Sequence, residues 1–135
     1  MRVKAIYPAG DGGLAGALLT IQRAAYAVEA SLIGNDRIPP LREEIEELCA
    51  APLKWLGAFD DDDRLIGALA WVEDVDEVDI HRLVVDPAAH RRGVGGELVR
   101  VVLSRAGSRS TTVSTGRANL PARTLYQRLG FERVK

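Results

Sequence analysis

Apolar residues change their spacing along the chain and divide its first half into a strand and two helices. The segment 3–7 predicts a first strand, which a proline and a glycine end. Between residues 14 and 32, apolar side chains recur at helical spacing and predict a long amphipathic helix that ends at Gly34. After a loop that contains two consecutive prolines, the segment 41–50 predicts a second, glutamate-rich helix.

The second half alternates strands with helices around one apolar sheet. Two apolar runs, 53–59 and 64–72, flank four consecutive aspartates and predict a β-hairpin. The pattern then predicts these elements: a strand over 77–85, a helix over 93–106, a strand over 110–115, a helix from 121 to 129 and a strand over 131–134. The order β-α-α-β-β-β-α-β-α-β predicts an α+β or mixed α/β fold with one central sheet.

Length and composition narrow the class of protein. The chain has 135 residues, 47% of them apolar, which predicts one domain over 1–135. A net charge of -1 gives no overall attraction to nucleic acid or to an anionic membrane surface, and no apolar run is long enough to span a bilayer. The single cysteine, Cys49, cannot form an internal disulfide, so we expect a reducing, cytoplasmic location.

The most informative segment runs from strand to loop to glycine turn to helix, over 83–98. Glycines at 93, 95 and 96 lack the Cβ atoms that would keep a ligand away from the backbone. The first-turn N–H groups of a helix have no partner within the helix, and together with the helix dipole they form a site for phosphate. Arg91 and Arg92 add positive charge beside it.

Glycines alone leave another interpretation open, namely a turn that needs positive φ beside two solvated arginines. Two other phosphate-binding motifs do not fit this spacing. No Lys-Ser/Thr pair follows the turn, as a nucleoside-triphosphate loop requires, and no G-x-G-x-x-G sequence follows the first strand.

The segment 83–98 resembles the acyl-CoA-binding motif of the GNAT superfamily of N-acetyltransferases, Gln/Arg-x-x-Gly-x-Gly/Ala. His90 occupies the Gln/Arg position, followed by Gly93 and Gly95. The segment 119–131 resembles a second family signature, Asn-x-x-Ala-x-x-Leu-Tyr-x-x-x-Gly-Phe. The two motifs occur in the expected order, and the predicted elements match the family back to the first strand. The resemblance therefore covers nearly the whole chain. It implies a mostly antiparallel, splayed sheet flanked by helices.

The resemblance also implies where acetyl-CoA binds as a co-substrate, without a metal. The pantetheine arm is expected to lie along Leu83, Val84 and Val85, pairing with their main chain. The pyrophosphate is expected on the backbone amides of Arg91, Arg92, Gly93, Val94, Gly95 and Gly96. Asn119 resembles the family residue that hydrogen-bonds the cofactor arm, although an asparagine there also suits a helix cap.

Catalytic roles follow from the same resemblance. Tyr126 matches the residue that protonates the departing CoA thiolate, with packing between helix and sheet as the alternative. Some family members have a glutamate base on the strand before the signature, five positions before its asparagine. In this chain that position, five before Asn119, is Ser114, so that base is absent. Others place a carboxylate on the preceding strand, which corresponds to Asp79.

Other groups compete with Asp79 for the role of base. The position of Asp79 is equally compatible with an ordinary exposed strand residue without a catalytic role. His81 lies on the same face of the strand as Asp79 and is a candidate for a base or a proton relay. Glu73 is a weaker candidate, and water is another.

The resemblance is incomplete at the end of the sheet. The family has a further strand after the one that begins at Phe131, and the chain stops at Lys135. We therefore expect a sheet edge that a second copy covers, as a homodimer. The region 33–41 lies where the family's acceptor pocket varies, and with Asp36, Glu43 and Glu44 nearby it suits either a cationic amine or a solvated helix face.

These observations predict an N-acetyltransferase that moves an acetyl group from acetyl-CoA to a primary amine of a small molecule or peptide by direct attack. Cys49 is far in sequence from both motifs, which disfavours a covalent acyl-enzyme. The alternative is a non-catalytic acyl-CoA-binding sensor. Nucleic-acid binding is the least favoured reading because of the net charge.

Overall fold

The structure, a computed structural model, describes residues 1–33, 44–89 and 91–113. Its strands and helices follow the order inferred from the apolar pattern. They are β1 Arg2–Ile6, α1 Gly12–Ile33, α2 Ile45–Ala50, β2 Lys54–Phe59, β3 Leu65–Glu73, β4 Glu77–Val85, α3 Val94–Ala106 and β5 Ser110–Val113. The predicted helix at 121–129 and strand at 131–134 lie outside the described residues.

The strands form one sheet in the order β1-β2-β3-β4-β5. The first four strands pair antiparallel, and β5 pairs parallel to β4. A parallel neighbour needs a crossover connection, which α3 provides. The mixed α+β architecture and the mostly antiparallel sheet inferred from the sequence are confirmed.

Each face of the sheet carries its own apolar core. On one face α3 buries Leu98 and Val102 completely, together with Val78 and Ile80 of β4. On the other face α1 buries Leu18 and Ile21 against side chains of β1 to β4. Helices on both faces explain why β2 and β3 are apolar at nearly every position.

Strand β4 contains a β-bulge, which the pattern of apolar residues did not predict. Ala70 of β3 pairs with Arg82, and the next residue, Trp71, pairs with Ile80. His81 therefore has no partner on β3, as in a β-bulge. Before the bulge the even-numbered Ile80 belongs to the α3 core, and after it the even-numbered Val84 belongs to the α1 core.

The Asp-rich hairpin turn is held by its first aspartate. Asp60 Oδ1 accepts hydrogen bonds from the backbone N–H of Asp62 at 2.9 Å and of Arg64 at 3.0 Å. The bond from Arg64 is the main reason why the pKa of Asp60 is lowered, against a smaller opposing effect of burial. Asp63 has a left-handed φ of 63°, a conformation that aspartate tolerates better than most residues.

Most sequence-based boundaries agree with the structure to within one or two residues. Strand β4 begins and ends where the alternation predicts, at Glu77 and Val85. The start of the second helix was predicted too early, at 41: α2 begins at Ile45, because Glu44 has an extended backbone and forms a capping box with Glu47. None of the described helices is long and apolar enough to cross a membrane.

Candidate functional site

The glycine turn after β4 presents an open helix N-terminus. Arg91 and Gly93 have left-handed φ values of 68° and 74°, so the chain reverses twice just before α3. Within the described residues no side chain caps α3, whose N-cap is Gly93. First-turn N–H groups of a helix lack acceptors within the helix, and such groups are the chemistry that binds a phosphate.

A second glycine, in β3, sets how close this turn lies to the sheet. A Cβ atom added to Gly67 would lie 2.7 Å from Cγ1 of Val94 and 3.1 Å from the backbone oxygen of Val84. Val94 is the first residue of α3 and is 2% exposed. The missing side chain at Gly67 thus lets the first turn of α3 rest directly against β3 and β4.

The surface of the turn suits a polyanionic group. Arg91, Arg92 and Gly93 are exposed, whereas Gly95 is buried beneath them. A Cβ atom added to Gly96 would meet nothing within 4 Å. Exposed positive charge, uncapped amides and open space at one helix end fit the pyrophosphate of a CoA molecule.

Strand β4 leads from this turn toward a cluster of polar side chains. Val84 is 1% exposed, and Leu83 and Val85 are partly buried against the α3 core. Pairing with β5 runs from Glu77↔Ser110 to Ile80↔Val113. The described part of β5 ends at Val113, so the described pairing covers the first four residues of β4.

Asp79 lies within that pairing, opposite Thr112, and its carboxylate has two partners. Thr112 Oγ1 on β5 lies 2.7 Å from Asp79 Oδ1, and His81 Nε2 lies 3.0 Å from Asp79 Oδ2. The side chains of Asp79 and His81 are 27% and 42% exposed. The two residues that the sequence puts on one face are thus in contact, and both reach solvent.

Thr112 connects Asp79 to a second carboxylate. Its Oγ1 also lies 2.9 Å from Glu77 Oε1. A hydroxyl carries one proton, so Thr112 donates to only one of the two carboxylates at a time. Sequence reasoning missed Thr112 because its role depends on the register of β5 against β4.

Glu73, the weaker candidate for a base, belongs to an ion cluster instead. Its Oε1 accepts from Lys54 Nζ at 2.9 Å and from Arg105 Nε at 3.0 Å, and its Oε2 accepts from Arg109 at 2.7 Å. The side chain is only 9% exposed. The bond from Lys54, followed by those from Arg105, Arg109 and Trp71, holds the pKa of Glu73 far below its ordinary value against the opposing effect of burial.

A carboxylate so fully engaged is a poor proton acceptor, which argues against Glu73 as the base. Sequence reasoning could not foresee this, because the three cations come from β2, from α3 and from the segment after α3.

A buried polar link fixes β4 next to its bulge. Arg82 donates to Oε1 of Gln22 at 3.0 Å, and Gln22 on α1 is fully buried. The guanidinium carbon of Arg82 lies 5.7 Å from the centroid of a Trp55 ring. This contact ties α1 to β4 one residue beyond His81, which sequence periodicity did not indicate.

Several predicted site residues fall outside the described part of the chain. Tyr126, Asn119, His90 and Ser114 are among them, so their roles stay predictions. Among the described residues, no group of three or more His, Cys, Asp or Glu side chains is arranged to hold a metal ion.

Comparisons with known proteins agree with this architecture. The chain is 31% identical over 126 residues to the UPF0157 protein YqkA of Bacillus subtilis, which covers 93% of this chain and 36% of YqkA. The chain thus spans about a third of the length of that relative.

Solved structures with the same fold include acetyltransferases. The PaiA N-acetyltransferase of Thermoplasma acidophilum in complex with coenzyme A has a TM-score of 0.78 at 19% identity, over 98% of this chain and 91% of PaiA. The ribosomal-protein-S18-alanine N-acetyltransferase of Escherichia coli has a TM-score of 0.74 at 15% identity, over 99% of this chain and 79% of that enzyme.

The family profile described as "Acetyltransferase (GNAT) family" matches residues 18–131, which include the glycine turn, Asp79 and the second signature. The chain belongs to the GNAT acetyltransferase family.

Proposed function

We propose that the protein transfers an acetyl group from acetyl-CoA to a primary amine by direct attack of the amine on the thioester. The GNAT family and its CoA-bound fold neighbour support an acyltransferase. The observation that carries the proposal is that β4 joins two features, Asp79 near its start and the glycine turn before α3 after its end. This arrangement suits a ligand with a polyanionic end and an extended amide arm.

In this proposal the cofactor residues act mainly through their backbone. The amides from Arg91 to Gly96 bind the pyrophosphate, and the main chain of Leu83 to Val85 binds the pantetheine arm. Backbone donors of β4 near His81 are proposed to polarise the thioester carbonyl. A donor aimed at such a developing charge typically contributes about 3 kcal/mol to the rate.

Asp79 is the proposed general base, with His81 beside it. At pH 7, deprotonating a lysine-like amine of pKa near 10.4 costs about 4.6 kcal/mol, against about 1 kcal/mol for an α-amine near 7.8. A base therefore matters most for lysine-like acceptors. Asp79 has the partial exposure that this role needs, and its contact with His81 offers a route for the proton to solvent.

Tyr126 is the proposed general acid. A phenol with an ordinary pKa near 10 is suited to protonate a departing thiolate. Support for this role is the family signature at 119–131, within the matched region. Asn119 is proposed to bind the cofactor arm, and a homodimer remains a prediction that light scattering would test.

The acceptor is proposed to be an amine of a small molecule or of a peptide. One fold neighbour is named for a ribosomal-protein alanine, which makes peptide amines a reasonable first panel. The central experiment measures thiol release from acetyl-CoA against lysine-like and α-amino acceptors, with wild type beside Tyr126→Phe. We expect amine-dependent turnover in the wild type and a lower kcat in the variant.

The phosphate site has a test that does not depend on the acceptor. Gly96 has open space around it, and an acidic residue in the first turn of a helix is favourable for folding. Gly96→Asp should therefore fold yet weaken CoA binding about tenfold or more by charge repulsion, whereas the neutral Gly96→Asn should bind better than Gly96→Asp. Equal CoA affinity of the two variants in calorimetry would contradict the assignment.

The alternative function is a non-catalytic acyl-CoA sensor. It keeps the glycine turn and has no use for a solvent-accessible carboxylate on β4. Tight binding of CoA to the wild type, without turnover on any amine of the panel, would favour the sensor over the enzyme.

A further inference from the structure

A cavity opens at the end of the sheet where β1 finishes and β2 begins. The glycine turn follows the last residue of β4, and β4 runs antiparallel to β3 and therefore parallel to β2. The cavity thus lies at the opposite end of the sheet from the glycine turn. Its volume is about 430 Å³, and its lining includes Trp55, Trp71, Leu48, Leu53, Lys54 and Arg105.

We propose that this two-tryptophan cavity binds a small organic carboxylate with a flat apolar body, such as an aryl or heteroaryl acid. The proposal concerns a second ligand and does not rest on the acetyltransferase activity.

The walls of the cavity favour a flat apolar group. Trp55 and Trp71 are 4% and 2% exposed, so both indoles are fixed by the cores of the two sheet faces. Leu48, which is 1% exposed, and Leu53 provide aliphatic surface on the α2 side. A volume of this size is within the range of roughly 300–1,000 Å³ that is typical of small-molecule sites.

The charges at the cavity favour an anion. Lys54 and Arg105 both line it, and no carboxylate does so among the described residues. The two cations share Glu73 with Arg109, so three positive groups face one negative group there. The nearby Asp74 accepts from the backbone N–H groups of its own turn.

The cations also keep donors for a ligand. Lys54 uses one of its three N–H groups on Glu73, and its side chain is 56% exposed. Arg105 donates to Glu73 through Nε and one terminal nitrogen, and its guanidinium carbon lies 5.5 Å from the centroid of a Trp71 ring. A carboxylate between Lys54 and Arg105 would form charge-assisted hydrogen bonds while its apolar body contacts the apolar lining of the cavity.

Tryptophan emission gives a direct measurement, because the chain has two tryptophans and both line the cavity. The probes are phenylacetate and phenylacetamide, which share shape and differ in charge. We expect a saturable change in the emission of the wild-type protein with phenylacetate and about tenfold weaker binding of phenylacetamide. Equal binding of the two probes, or no saturable change with either, would overturn the proposal.

Matched variants separate the cavity from the ion cluster. Arg105→Gln removes a cation that lines the cavity, and we expect it to weaken phenylacetate binding about tenfold while leaving phenylacetamide unchanged. Arg109→Gln removes another partner of Glu73 that does not line the cavity, and it should bind phenylacetate as the wild type does. If Arg109→Gln weakens binding as much as Arg105→Gln, the cavity assignment is wrong.

A second reporter covers the case in which the arginine variants fail to fold. Cys49, the single cysteine of the chain, also lines the cavity and is partly exposed. In the wild-type protein, saturating phenylacetate should slow its alkylation by iodoacetamide, and phenylacetamide at the same concentration should slow it much less. Unchanged alkylation at a phenylacetate concentration that saturates the emission change would contradict binding in this cavity.

Discussion

Two carboxylates flank the turn between β3 and β4 and have opposite surroundings. Glu73, the last residue of β3, is 9% exposed and accepts hydrogen bonds from three cationic side chains. Asp79, near the start of β4, is 27% exposed and has one hydroxyl and one imidazole as partners. The first is enclosed by cations, and the second is open to solvent with uncharged and imidazole partners.

The difference shows how the same residue class acquires different roles through its partners. Cationic donors stabilise the charged form of a carboxylate and lower its pKa, which removes its ability to take a proton near neutral pH. Asp79 has a hydroxyl that is shared with Glu77 and an imidazole that reaches solvent as its partners, and no cation of lysine or arginine among its described contacts. The sequence placed Glu73 below Asp79 as a base candidate, and the contacts of Glu73 give a physical reason for that order.

The largest expected effect is on stability, from Glu73→Gln. Removing the charge leaves Lys54, Arg105 and Arg109 facing one another without a counter-ion, and we expect the free energy of unfolding to fall by about 3 kcal/mol, after allowing for the exposure of Lys54 and Arg105. Urea denaturation followed by circular dichroism measures this. A loss below about 0.5 kcal/mol would mean that Glu73 behaves as an ordinary surface carboxylate.

The next effect is on activity, from Asp79→Asn. The amide keeps the shape and the acceptor oxygen facing Thr112 but cannot take a proton, so kcat/KM for a lysine-like amine should fall by about 100-fold. Glu77→Gln is the matched control and should keep most of the activity, since Glu77 contacts Asp79 only through Thr112. Steady-state kinetics measure kcat/KM for both variants. If Glu77→Gln lost as much activity as Asp79→Asn, the assignment of Asp79 as the base would be contradicted.

A smaller effect is expected from Thr112→Val, which removes the hydroxyl between Glu77 and Asp79. We expect kcat/KM to fall about tenfold because one donor to the base is lost and its orientation is less fixed. Thr112→Ser should restore the activity, and Thr111→Val on the opposite face of β5 should leave it unchanged. Loss of activity in Thr111→Val would indicate general damage to β5 in place of a specific contact.

The smallest effect concerns the stability at acid pH. Because the folded protein holds the pKa of Glu73 below its ordinary value of 4.5, the ion cluster stabilises the fold above that value and loses its contribution as the pH falls. Between pH 5 and pH 3.5 the wild type should lose about 1 kcal/mol more than Glu73→Gln. Parallel curves of unfolding free energy against pH for the two proteins would show that the cluster does not set the acid sensitivity.

Much of the fold follows from local patterns. The alternation and turn residues gave the hairpin and the bounds of β4, because a strand that is exposed at one end and buried at the other has a readable pattern. The glycine turn was found in the same way, since a positive φ and an uncapped helix need particular residues at fixed spacing.

The rest depends on contacts between residues that are distant in sequence. The role of Gly67 can be recognised only when Val94 is seen to pack against it in the fold. The role of Thr112 can be recognised only when the register of β5 against β4 is known. Glu73 gained its three cations from separate elements, which no local pattern records. The bulge at His81 was hidden because the change in side-chain facing occurs where the sequence becomes apolar at every position.

That bulge makes β4 two half-strands of opposite phase. A regular ladder that kept His81 would pair it with Ala70 and turn every later residue of β4 to the other face. Arg82 would then exchange its place beside Gln22 for one beneath α3, among apolar side chains, and Val84 would leave the α1 core. The single extra residue therefore works as a frame-shift within the strand, and deleting His81 should leave Arg82 opposite Ala70 and the later residues on their present faces.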